Sequence, residues 1–363
     1  MIPLASPWTD SAEARAVQEV LRSGRLVQGP QTAAFEQRLG ALCRRRHAVA
    51  VSSGTTALLA ALRVLGVGPG KTVVVPALTF PAPAAAAAWL GATVRLCDVE
   101  PDTMNLSART LAPCLEDDVA LVIAIDQFGM PAPADELESL LSAQGVSLVV
   151  DAACSLGSAW RERACGGFGL MSTMSFHPRK VVTTGEGGVV LTDNDELAPL
   201  LCRERNHGLD SGSFLQPGLN LRLGEMPAAM GLAQLDKLEE IVARRRALAH
   251  RYIGSLPLAV QKEPLGAVSN RQTLAACLPE HMDRQAFVQS MSSRGIEVGL
   301  LSYWVAGLPS LAASLSKMQP PTPVAQDLAQ RGVALPLFPQ MTLEEVDTVV
   351  GVVQDLCHTP CVP

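Results

Sequence analysis

The feature that most constrains this chain is an alternation of short apolar runs with amphipathic runs across residues 9–205. The apolar runs are Ala48–Ser52, Thr72–Val75, Thr93–Cys97, Val119–Ile125 and Ser147–Val150. They carry little polar alternation, which is the pattern of strands covered on both faces. Helical runs separate them: Thr9–Ser23, closed by Gly24, then Thr32–Leu42, with Phe35, Leu39 and Leu42 on one face. Thr55–Leu65 stops at Gly66, Pro81–Leu90 stops at Gly91, and Ser107–Cys114 and Pro133–Ala143 follow. Strands that alternate with helices predict an α/β fold, with a mostly parallel sheet covered by helices.

The pattern changes after residue 205. A long helical stretch runs from Glu225 to about Leu256, with a break or kink expected near Pro227. A strand at Leu274–Leu278, a helix at Asp283–Arg294, a strand after Gly295 and a closing helix at Thr342–Leu356 come next. This second set reads as a smaller α/β unit. The 363 residues are ample for two units, so the expected division is a large domain over 1–245 and a small one over 246–363. Internal repeats and low-complexity linkers are absent from the sequence.

Composition removes several function classes. Apolar residues are 48% and charged residues 18%, which is the balance of a folded globular chain. No apolar run reaches the length of a membrane span, and Met1–Asp10 lacks the basic start and apolar core of a signal peptide. The expected location is the cytoplasm. The nine cysteines are scattered singly, without the spacing of a disulfide framework. Cys357, His358 and Cys361 lie close together, but a structural zinc site takes four ligands, so the reading is a frayed tail and no metal is expected. The net charge of −6 argues against a nucleic-acid binder, and the short basic runs Arg44–Arg46 and Arg244–Arg246 fit solvated helix faces.

Three groups carry chemistry. Among five lysines, Lys180 alone lies between an apolar segment, Met174–Pro178, and a glycine-rich turn, Thr183–Gly188. There a lysine can approach a bound ligand closely, although an ordinary loop lysine has the same setting. Asp151 ends an apolar strand, where open α/β sheets bind ligands, or else caps the next turn. Ser52-Ser53-Gly54-Thr55-Thr56 joins a strand to a helix. Free amides and hydroxyls at such a helix start form a phosphate cup or a plain N-cap. One ligand asks for all three, with a phosphate, an aldehyde for the lysine and a basic ring nitrogen for the aspartate: pyridoxal 5′-phosphate (PLP). The competing P-loop reading of Gly70-Lys71-Thr72 fails, because Leu65 stands where the motif needs glycine and a strand follows Lys71. No G-x-G-x-x-G follows a strand either.

The segment SFHPRKVVTTGEGGVVLTDN (175–194) resembles the DegT/DnrJ/EryC1/StrS family of PLP-dependent sugar aminotransferases, of fold type I. The resemblance extends in order through GRLVQGPQTAAFE (24–36), AVSSGTTALLAAL (50–62), residues 73–106, NHG (206–208), residues 218–239 and LPLFPQMT (335–342). It implies that Lys180 carries the cofactor and that Asp151 pairs with its ring nitrogen. It also implies that Phe80 stacks on the ring and that Gly54, Thr55 and Ser175 hold the phosphate. Asn220 would reach the phosphate of the partner chain in a homodimer with shared sites. Cys154 stands where the family often has Gln or His near the phenolic oxygen, and a thiol is a weaker donor. Gly299–Pro309 contains Tyr303 and Trp304 but no histidine where the family commonly has one, so the acceptor stays open. The resemblance implies transfer of an amino group from glutamate or glutamine to a keto-sugar, nucleotide-linked in the usual case, or to a cyclitol. A lyase, dehydratase or epimerase on the same scaffold, or a non-catalytic regulator, is the alternative.

Overall fold

The structure is a computed structural model in which residues 1–358 are described. Helices α1 (Ser11–Ser23) and α2 (Pro30–Cys43) precede the main sheet. That sheet contains β1 (His47–Val51), β2 (Thr72–Pro76), β3 (Thr93–Cys97), β4 (Val119–Ile125), β5 (Ser147–Asp151), β6 (Met171–Ser175) and β7 (Gly188–Thr192). The strand order is β1-β7-β6-β5-β4-β2-β3. Strands β3, β2, β4, β5 and β6 pair in parallel, whereas β7 runs against both β6 and β1. The link from β6 to β7 holds no crossover helix, so the chain returns antiparallel. Helices α3 (Gly54–Val64), α4 (Ala82–Trp89) and α5 (Ala134–Ser142) cover the sheet. Val73, Val74 and Val75 are fully buried between the layers.

The helix expected at Ser107–Cys114 is α-helical only over Ala108–Leu111 and tightens to a 3-10 turn at Ala112–Cys114. Pro113 has no amide to continue the α ladder. The long helical stretch is two helices, α6 (Glu225–Asp236) and α7 (Leu238–Ile253), and the break falls at Lys237 rather than near Pro227. Pro227 sits in the first turn of α6, where an amide would have no intrahelical partner, so it costs nothing.

A second apolar core gathers the end of α7, helix α8 (Arg284–Ser293), helix α9 (Leu343–His358) and a four-stranded sheet. The sheet strands are β8 (Ala259–Val260), β9 (Leu274–Cys277), β10 (Gly299–Leu300) and β11 (Gly332–Leu335), in the order β8-β9-β11-β10. The N-terminal residues run beside this unit: Ile2 bridges Ile296, and the Leu337 amide donates to the Leu4 carbonyl. Among the described residues no helix is long and apolar enough to cross a membrane. Nor do these residues contain a group of three or more His, Cys, Asp or Glu able to hold a metal. Cys361, the third of the tail trio, lies outside the described residues.

Candidate active site

Parallel strands bring the ends of β2, β4, β5 and β6 to one edge of the sheet, the edge at which open α/β sheets bind ligands. Asp151 is the last residue of β5 and is buried. Its hydrogen bonds come from the Ala153 amide (3.1 Å) and the Thr173 hydroxyl (3.5 Å), and both fall on Oδ1. Burial pushes this carboxyl above the usual carboxylate range, while the Lys180 charge pulls it back.

Lys180 lies in the connection between β6 and β7. Its Nζ is 3.1 Å from the Cys154 sulfur, and the amine is half-buried. The connection is pinned at its start by Phe176, which is buried and packs edge-to-face on Phe35 of α2. The Phe176 amide donates to the Gly187 carbonyl, and its own carbonyl accepts from the Thr184 amide and the Thr183 hydroxyl. These bonds fold the loop back on itself, so the lysine is presented from a closed turn.

The candidate phosphate cup is the N-terminus of α3. Ser53 caps it through a reciprocal pair with Thr56. The Ala57 amide bonds the Ser53 carbonyl. The amides of Gly54 and Thr55 come before the first intrahelical bond and are free for an anion. Gly54 lies so close to the end of β6 that a Cβ there would meet Ser175 Cβ at 2.7 Å. Thr55 is exposed at the mouth of the cup, and Ser175 is half-buried beside it.

Phe80 follows a two-residue strand, Leu78–Thr79, that pairs with Tyr303–Trp304. Its ring is exposed and meets Tyr303 edge-to-face at 6.1 Å. The structure thus gathers Asp151, Cys154 and Lys180 in one group, Gly54 against Ser175 in a second, and Phe80 with Tyr303 in a third. Asn220 is exposed, bridges Asn206 and turns its Oδ1 toward the Arg222 amide at 3.4 Å, while the next residue, Leu221, accepts from the Ser52 amide at 2.8 Å.

Two residues not singled out in the sequence lie at the same edge. Asp126 follows β4 as Asp151 ends β5, and its amide donates to the Asp151 carbonyl. It is fully enclosed, accepts from the Ser155 hydroxyl (2.6 Å) and the Ala132 amide (2.9 Å), and is pushed up to about 6 by burial. Gln127 donates its side-chain amide to the Leu78 carbonyl, tying this loop to the strand that carries Phe80. The signal for both was present: they directly follow the apolar run Val119–Ile125.

These residues fit PLP. Asp151 keeps Oδ2 for a ring N–H, the start of α3 keeps the Gly54 and Thr55 amides for a phosphate, and the Lys180 amine is near enough for its charge to act on Asp151. A PLP-dependent enzyme of fold type I is the class of protein that this sheet and this edge define. The model of the DegT/DnrJ/EryC1/StrS aminotransferase family matches residues 7–354, and the chain belongs to that family. Its cofactor is PLP. Solved structures agree along the whole chain. The aminotransferase TlmJ from Streptoalloteichus hindustanus is 30% identical, with 98% of each chain covered and a TM-score of 0.91. DesV from S. venezuelae, solved in complex with a ketimine intermediate, is 28% identical, with 99% of each chain covered and a TM-score of 0.92. A GDP-4-keto-6-deoxymannose-3-dehydratase, ColD, solved with bound GDP-perosamine, is 25% identical over 97% of this chain and 100% of that one, with a TM-score of 0.92. The family therefore holds a dehydratase beside its aminotransferases.

Proposed function

We propose that this chain is an aminotransferase that moves an amino group from glutamate or glutamine to a keto-sugar, nucleotide-linked, or to a cyclitol. The observation that carries the reading is the Lys180 amine, held 3.1 Å from Cys154 and close enough to Asp151 to pull on its titration. When bound, the cofactor supplies a protonated ring that accepts the electrons left behind by a departing substrate proton. Asp151, in its buried position, holds that ring nitrogen protonated. Lys180 carries the cofactor at rest. When freed from the cofactor, its Nζ would take the substrate Cα proton as a base and deliver that proton as an acid to the cofactor's C4′. Gly54, Thr55 and Ser175 hold the phosphate. Phe80 would pack against the cofactor ring, a role that suits a rigid exposed aromatic. Cys154 lines the wall beside the amine and would face the cofactor's phenolic oxygen.

In this reading the enzyme is a cytoplasmic homodimer. Asn220 of one chain reaches the phosphate cup of the other, which its exposure in its own chain supports. The described cysteines are all free, as a reducing compartment keeps them.

The test is the donor half-reaction. Holoenzyme mixed with glutamate and no acceptor should release one 2-oxoglutarate per active site. A dehydratase that does not use the donor in this way releases none before its sugar substrate is added. Asp151→Asn should keep the cofactor and lose this release.

A further inference from the structure

We propose that Asn270 and Gln272, from the smaller unit, are positioning residues that hold the Lys180 turn and the Cys154 turn in register. This rests on the reading of Lys180 as the cofactor-bearing lysine. Residues 269–272 form the turn that leads into β9, and they leave the smaller unit to enter the edge of the main sheet. Asn270 is fully buried. Its Nδ2 donates to the Cys154 carbonyl and to the Leu156 carbonyl, each at 2.8 Å, and its Oδ1 accepts from the Gln272 amide at 2.9 Å. Both of its N–H donors are thereby spent on the loop after β5, and its oxygen accepts from its own turn. Gln272 does the same for the other loop. Its Nε2 donates to the carbonyl of Arg179, the residue before Lys180, at 2.7 Å, and its Oε1 accepts from the Thr273 hydroxyl at 2.8 Å. One two-residue device therefore grips the main chain beside both members of the 3.1 Å pair.

The surroundings are cut to admit the device. Gly129 has φ +90°, and a Cβ on it would overlap Asn270 Oδ1 at 2.0 Å. The Gly129 carbonyl accepts from the hydroxyls of Ser158 and Ser269. Arg271, between the two amides, reverses the chain at φ 52°. Arg245 of α7, buried and without a carboxylate partner among the described residues, donates Nη1 to the carbonyls of Arg271 and Gln272. A segment satisfied at this many points moves as a block. The lysine and the thiol can then hold their spacing only while the block stays seated.

Asn270→Asp and Gln272→Glu keep shape and remove the donors. Thr273→Val removes only the hydroxyl that orients the Gln272 amide, and it serves if the first two do not fold. In holoenzyme, each variant is read by glutamate half-reaction kinetics and by the pH at which the visible band of the lysine-bound cofactor titrates. The expected result is a fall in kcat on the order of 10- to 100-fold for the two donor-removing variants and a smaller fall for Thr273→Val. The KM for glutamate should stay near wild type, and the midpoint of the band should move. If thermal stability falls while kcat per bound cofactor and the band midpoint stay at wild-type values, the residues are merely structural and the proposal is overturned. Borohydride labelling of the wild-type chain separates this failure from failure of the underlying reading: a pyridoxyl group on another lysine overturns both.

Discussion

Replacing Gly54 with alanine tests the phosphate cup directly. The added Cβ would stand 2.7 Å from Ser175 Cβ, 3.1 Å from its Oγ and 3.3 Å from its Cα. Ordinary contact begins near 3.4 Å, so the first turn of α3 must retreat from the end of β6 by about 0.7 Å. The Ser175 Oγ can rotate away, but the Cα belongs to the strand main chain and the Cβ is fixed to it. Overpacking of this kind costs about 1–3 kcal/mol of stability. The larger effect falls on the cofactor. The same retreat carries the Gly54 and Thr55 amides away from the phosphate, and one lost hydrogen bond to a charged group is worth about 1.5–3 kcal/mol. PLP affinity should therefore drop by about 10- to 100-fold. Fluorescence or absorbance titration of the apoprotein with PLP measures this, beside thermal unfolding of the apoprotein. Gly351→Ala is the control. It lies in α9 with nothing within 4 Å of the new Cβ, and it should raise stability by about 0.5–1 kcal/mol with PLP affinity unchanged. A Gly54→Ala protein that binds PLP as tightly as wild type would refute the placement of the phosphate.

Asp126 gives a pH signature. Its folded-state titration is raised from 3.8 to about 6, so the folded chain holds this proton more tightly than the unfolded one. The stability it contributes is fully present below 3.8 and is lost as pH rises to about 6, by up to about 3 kcal/mol. Asp126→Asn should flatten the fall over that window in urea denaturation of the apoprotein, and an unchanged slope would assign it to another group. Asn220 is tested by co-expressing a Lys180→Ala chain with an Asn220→Ala chain and isolating the mixed dimer. The one remaining lysine site should retain PLP as firmly as wild type if the asparagine acts across the interface, and should lose it faster if the asparagine acts within its own chain.

Much of this site is legible because the groups lie where local pattern ends. Asp151 closes an apolar run, Gly54 opens a helix, and Lys180 sits between a strand and a glycine turn, so position along the chain reveals position in space. The direction of β7 is not legible in this way, since an apolar run reads the same in either sense. The helix breaks at Lys237 and not at Pro227, because proline breaks a helix only where an amide is needed and the first turn needs none. Asn270 and Gln272 carry no local signal at all. Their partners, Cys154 and Arg179, are 116 and 93 residues away, and only the folded chain brings these main-chain carbonyls to two amide side chains.

The central claim is that one particular lysine carries the cofactor. Holoenzyme reduced with borohydride, digested and mapped by mass spectrometry should place a single pyridoxyl group on the peptide containing Lys180. A pyridoxyl group on Lys71, Lys237, Lys262 or Lys317, with Lys180 unmodified, would contradict the account.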